Sequence, residues 1–141
     1  MNPEELHILV VEDNTDHQFL AEMAIKRLDR KTKTTMCESG EEVLDLLEQG
    51  LPKPHLILLD IQLMCGMDGF ELASHLKKHE TTRDSCLIIF TGHAHEEYVE
   101  RAKKLGAFAY LLKDMEISVT VTKLKKLIEK WQEQSSPSEL V

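Results

Sequence analysis

Four aliphatic runs in this chain each end in a residue with charge or a reactive oxygen. Leu6 to Val11 leads into the acid pair Glu12-Asp13, and Leu56 to Leu59 into Asp60. Leu87 to Phe90 leads into Thr91, followed by Gly92, and Phe108 to Leu112 into Lys113. An aliphatic run of about four to eight residues reads as a strand buried on both faces of a parallel sheet. A polar residue at the end of such a strand lies at the carboxyl edge of the sheet, where ligands of open α/β sheets bind. Three acids from two strands therefore converge on one spot, and they repel one another unless a cation stands among them. Mg2+ meets that need, being held by one or two carboxylates together with waters and phosphate oxygens.

Helical stretches alternate with these runs. Asn14 or Asp13 caps a predicted helix over 15–30, with Leu20, Ala21, Ala24, Ile25 and Leu28 on one stripe. Thr32 to Glu38 reads as a weak strand. Ser39 caps a helix through Val43, Leu46 and Leu47 that Gly50 and Pro52 stop. Asp68-Gly69 opens a helix through Phe70, Leu72, Ala73 and Leu76. The next helix carries Tyr98, Val99, Ala102 and Leu105 and closes at Gly106, and the last carries Ile117, Val121, Leu124, Ile128 and Trp131. This alternation predicts parallel pairing with right-handed crossovers. A chain of 141 residues fits one domain. The predicted organisation is a domain over 1–131 and a polar tail over 132–141, with no output domain.

The charge balance narrows the partners. A formal net charge of −8 argues against nucleic acid or an anionic membrane. The chain has no basic, apolar start and no run of apolar residues long enough to span a bilayer. Cys37, Cys65 and Cys86 form no CxxC pair, and an odd, scattered set suits a reducing cytoplasm.

Taken together, the stretches ILVVEDN (8–14), LILLDIQLMCGMDG (56–69), IIFTG (88–92) and GAFAYLLK (106–113) resemble a response-regulator receiver domain of the CheY-like type. The similarity covers roughly residues 5 to 131. It implies a doubly wound, flavodoxin-like α/β fold, with a five-stranded parallel sheet in the order 2-1-3-4-5 and five flanking helices. It also implies a two-component signalling function. A histidine kinase or histidine phosphotransfer protein would donate a phosphoryl group to Asp60, with Mg2+ as cofactor.

The resemblance assigns the remaining roles residue by residue. Glu12, Asp13, Asp60 and the main-chain carbonyl of Gln62 would hold Mg2+. Asp60 would form an aspartyl phosphate, a known kind of covalent intermediate. Lys113 would pair with a phosphoryl oxygen as a point charge, and the Thr91 hydroxyl would donate to another. Thr91 and Tyr110 would act as a two-state switch that alters the surface of the fourth helix, fifth strand and fifth helix, where a downstream protein target would dock. Gln62 and His93, two residues past the acceptor and two past the hydroxyl, would tune phosphoryl lifetime. A cytoplasmic monomer or weak homodimer follows, acting as a switch and not as a metabolic enzyme.

Three positions depart from the family pattern. Met64-Cys65-Gly66-Met67 stands where relatives have an aliphatic-proline step, so the loop is longer and less restrained, with Gly66 free to take a positive φ. Asp114 follows Lys113 where many relatives have a cis proline, so this bond is expected to be trans. Glu12 replaces the commoner aspartate.

Each residue also has a plainer reading. An Asp at a strand end is often a cap, Lys113 alone is a solvated strand end, Thr91 alone a turn hydroxyl, and Tyr110 a half-buried aromatic with its hydroxyl in water. Pairs such as His75/His79 and His93/His95 invite a zinc reading but show no third ligand, and Cys65 invites a redox one. A phosphorylation-independent adaptor with the same fold is the alternative function. A haloacid-dehalogenase-type phosphatase would want an acid where Gln62 stands, and a flavodoxin would want a Ser/Thr/Gly-rich loop after the first strand.

Overall fold

The computed structural model describes residues 3–64 and 66–134. Cys65 and the tail beyond residue 134 lie outside the described residues. The elements run β1 (Leu6–Val11), α1 (Thr15–Lys26), β2 (Thr32–Cys37), α2 (Gly40–Glu48), β3 (Leu56–Leu59), α3 (Gly69–Lys78), β4 (Cys86–Thr91), α4 (Glu96–Lys104), β5 (Ala109–Leu112) and α5 (Ile117–Glu133). All strand pairs are parallel, and the sheet order is β2-β1-β3-β4-β5, as expected.

Alternation along the strands makes two cores. Ile8, Val10, Leu56, Leu58, Ile88 and Phe90 face α1 and α5, meeting Leu20, Ile25, Leu124 and Ile128. Leu9, Val11, Ile57, Leu59, Leu87 and Ile89 face the other layer, meeting Val43, Phe70, Leu72, Leu76 and Ala102. Every residue of β1, β3 and β4 is buried, which explains why their sequences are almost wholly apolar, with His7 and Thr91 the buried polar exceptions. The chain passes from β1 outward to β2 and then back to β3. The carboxyl ends of β1 and β3 therefore lie side by side at the point where strand order reverses.

Local chemistry sets the boundaries. Asn14, not Asp13, caps α1, its side chain accepting from the His17 N–H at 3.0 Å. Ser39 caps α2, and Asp68 with Glu71 forms a capping box on α3. The expectation that α1 reaches Arg30 is corrected: it stops at Lys26, and Asp29 adopts φ 58°, turning the chain toward β2. Glu38 lies just beyond β2, and α5 runs two residues past the expected domain end, to Glu133. Gly66 does take a positive φ, 71°, and no cis peptide occurs among the described residues. Cys37 and Cys86 are free and buried, and burial pushes both thiols up to about 12. No helix among the described residues is long and apolar enough to cross a membrane.

Candidate functional site

Three strands deliver the central charges. Glu12 follows β1, Asp60 follows β3, and Lys113 follows β5. The Lys113 Nζ donates to Glu12 Oε1 at 2.5 Å and to Asp60 Oδ2 at 2.9 Å. Its third neighbour is His17 Nδ1 at 2.9 Å. An ammonium has three donors and no acceptor, so His17 must accept, which places its ring proton on Nε2. All three Lys113 donors are thereby used within a pocket where the side chains of Glu12, Asp60 and Lys113 are at most 6 % exposed.

This burial sets the proton affinities. Desolvation pushes Glu12 up to about 7, against the opposing pull of the Lys113 ammonium, and the Asp60 charge adds to the rise. Burial lowers His17 below the usual imidazole value, and the Lys113 charge lowers it further.

The remaining expected residues fall into two groups. Asp13 lies at the same edge, but its Oδ2 accepts from the Met64 N–H at 2.8 Å. Gln62 donates its own N–H to Asp60 Oδ1 at 2.9 Å. The segment after Asp60 is tied down more than its missing proline suggested. Asp13 holds Met64, and the Glu41 carboxylate on α2 accepts from the Met67 N–H at 3.0 Å.

Thr91 ends β4 fully buried, and its Oγ1 has no hydrogen-bond partner among the described residues. A buried hydroxyl without a partner is costly. Thr91→Val is therefore expected to stabilise the resting protein by about 1 kcal/mol, read as a higher denaturation midpoint at unchanged slope. A loss of stability would show that the hydroxyl is already satisfied. Beside Thr91, a Cβ on Gly92 would meet nothing within 4 Å, so the surface there is open to an approaching group.

Tyr110 is half-buried, and its hydroxyl is not left to water: it donates to the His93 carbonyl at 2.5 Å. Burial raises the phenol above its usual value, with Tyr98 and Asp60 adding to the effect. The His93 side chain is exposed and stacks on His95 at 6.2 Å, while His95 meets Tyr98 edge-on at 5.1 Å.

The sequence reading missed His17. Glu12, His17 and Asp60 each offer one ligand atom within 4.8 Å of the others, and this is the metal-competent cluster among the described residues. His79 instead uses its Nδ1 to accept from the Thr81 N–H at 3.0 Å, closing the end of α3. Position was the available signal for His17. A helix that starts two residues after the acid pair turns its first-turn side chains back over the same sheet edge.

The acid set fits a hard divalent cation. Two buried carboxylates share a position that already attracts positive charge, with Asp13 adjacent.

Comparisons with known proteins agree with this fold. The response regulator receiver domain family matches residues 8–129. The probable methanogenesis regulatory protein FilR2 of Methanothrix harundinacea is 28% identical over 138 residues, covering 93% of this chain and 88% of that protein. The DNA-binding transcriptional regulator NtrC of Klebsiella pneumoniae is 33% identical over 91% of this chain, which spans only 26% of that protein. Among solved structures, the Mn2+-bound form of response regulator Rcp1 superposes with a TM-score of 0.77 at 23% identity, covering 93% of this chain and 97% of that one. The phosphorylated cyanobacterial phytochrome response regulator RcpA gives 0.80 at 23% identity, covering 94% and 97%. At that identity the two structures speak for the fold alone.

Proposed function

The chain belongs to the response regulator receiver domain family, the phosphorylation-based signalling module of two-component systems, and we propose that it is a Mg2+-dependent phosphoryl-accepting switch centred on Asp60. One observation carries the reading. The Lys113 ammonium holds Asp60 Oδ2 at 2.9 Å in a buried pocket, at the same sheet edge where the Thr91 hydroxyl stands without a partner among the described residues. A carboxylate, a cation and a spare donor are what an aspartyl phosphate requires.

In the proposed step, an Asp60 carboxylate oxygen attacks the phosphorus of a phosphohistidine on a kinase or phosphotransfer protein. The P–N bond breaks, and its electron pair stays on the imidazole of the donor, which takes up a proton. Lys113 then turns a donor toward a phosphoryl oxygen, and Thr91 gives its hydroxyl to another. Glu12, Asp13, Asp60 and the Gln62 carbonyl would hold Mg2+, which when bound neutralises charge on the phosphoryl oxygens. Gln62 and His93 would tune hydrolysis, and an unchanged dephosphorylation rate after substituting both would remove that role.

Signal output would pass through Tyr110. Its hydroxyl holds the β4–α4 loop at the His93 carbonyl, so movement of Thr91 and Tyr110 reshapes the α4–β5–α5 face. A cavity of about 250 Å3 between α4 and β5, lined by Val99, Ala102, Ala107 and Tyr110, supports two packings of that region and a protein contact there. The same face could pair two copies weakly. A net charge of −8 favours a protein target over nucleic acid or membrane, and the free, buried Cys37 and Cys86 suit the cytoplasm. The chain would thus be a switch and not a turnover catalyst.

The test is intact mass after incubation with acetyl phosphate, with and without Mg2+. A Mg2+-dependent gain of one phosphoryl group, absent in Asp60→Asn, is expected. No gain under conditions that modify another receiver domain would favour the constitutive adaptor.

A further inference from the structure

His17 has no task in that phosphoryl-accepting reading, yet its Nδ1 lone pair points at the position occupied by the Lys113 ammonium. Glu12 Oε1, Asp60 Oδ2 and His17 Nδ1 surround that ammonium at 2.5, 2.9 and 2.9 Å. The three acceptors therefore already form a cation position with two oxygens and one imidazole nitrogen. The ring is neutral with Nδ1 unprotonated, the form in which an imidazole binds a metal. Carboxylate and water ligands suit Mg2+, whereas an imidazole suits zinc, nickel and copper, which also bind more tightly to a given nitrogen and oxygen set.

We propose that Glu12, His17 and Asp60 form a site for a late first-row divalent ion of the zinc class, entered by displacing the Lys113 ammonium. The ligand atoms would close in from their present distances to about 2.0–2.2 Å, leaving an outer position for water. The ammonium and the metal exclude each other because both need the same three lone pairs. The consequence is regulatory: an ion held here occupies the acceptor carboxylate and evicts the cation that would steady the phosphoryl group. Zinc-class metal and phosphoryl acceptance at Asp60 are then alternatives.

Calorimetric titration of the unphosphorylated chain with Zn2+ and, separately, with Mg2+ tests this without any phosphoryl donor, so its outcome is independent of whether Asp60 accepts phosphate. Zn2+ is expected to bind more tightly than Mg2+. His17→Ala is expected to weaken Zn2+ by at least about tenfold while leaving Mg2+ within about twofold, and the retained Mg2+ binding shows that the variant is folded. Lys113→Met, which removes the competing ammonium, is expected to tighten Zn2+. His75→Ala/His79→Ala is expected to leave Zn2+ binding as it is. The proposal is overturned if His17→Ala leaves Zn2+ binding unchanged, if it weakens both ions equally, or if the zinc follows His75 and His79.

Discussion

Gly69→Ala is expected to lower stability by about 3 kcal/mol, a fall in Tm of roughly 10 °C, and to abolish phosphoryl acceptance at Asp60. Gly69 is the first residue of α3, and the strand-end backbone runs directly against it. A Cβ there would stand 2.3 Å from the Ile61 Cα and 2.7 Å from the Asp60 carbonyl oxygen. Both neighbours are backbone, so no side chain can swing aside. Either α3 moves off its core contacts through Phe70, Leu72 and Leu76, or the segment carrying Asp60 moves. The first loses stability and the second loses geometry at the acceptor. Gly92→Ala is the matched control, since its added methyl meets open space. Thermal melts of the two variants decide the matter. Equal melting temperatures would mean that the close approach of α3 to the acceptor segment relaxes at no cost.

That contact shows where sequence reading ends. Three of the strand ends were legible because burial on both sheet faces demands largely apolar runs in β1, β3 and β4, so the polar residue terminating each stands out. β5, with Tyr110 half-buried and Leu112 exposed, departs from the expected burial on both faces because it is the edge strand. The helix caps were legible for a similar reason: Ser39 and Asp68 precede clear apolar periodicity. The end of α1 was not. Leu28 continues the stripe and is buried, yet the helix is already capped at Arg27, and the turn completed by the left-handed Asp29 is a backbone feature that a side-chain pattern does not record. His17 was invisible as a pocket residue because it reads as one more polar residue in a first turn. Only the proximity of α1 to its own preceding strand brings it onto Lys113. The state of Thr91 was likewise unreadable. A hydroxyl at a strand end normally bonds its own turn, and that this one has no partner among the described residues is a property of the packed core.

Lys113→Met should make stability depend on pH and on Mg2+ in a way that isolates the charge balance of the site. The ammonium is the positive charge that Glu12 and Asp60 share in the resting protein. Removing one partner of a buried ion pair typically costs on the order of 3–5 kcal/mol, because the remaining charge keeps its desolvation penalty. Part of that cost is relieved by proton uptake. Glu12 already stands at about 7, above its ordinary 4.5, and Lys113 is among the influences holding it down. A carboxyl raised in the folded state binds its proton more tightly folded than unfolded. Its stabilising contribution is therefore full below about 4.5 and is lost as pH rises through about 7. Without Lys113 the folded value climbs further, so the deficit of the variant should be small in acid and grow toward alkaline pH. His7 and His17, both lowered by burial, act in the opposite direction below about 6.5. His7 lies outside the pocket, so subtracting the melting curve of the unsubstituted chain removes its part. Mg2+ should restore more stability to the variant than to the unsubstituted chain, since a divalent ion among the carboxylates replaces the missing charge. Melting temperatures from about pH 5 to about pH 8, with and without Mg2+, give the result. A deficit that is flat in pH and insensitive to Mg2+ would mean that Glu12 and Asp60 do not depend on a shared cation, and the electrostatic account of the pocket would have to be abandoned.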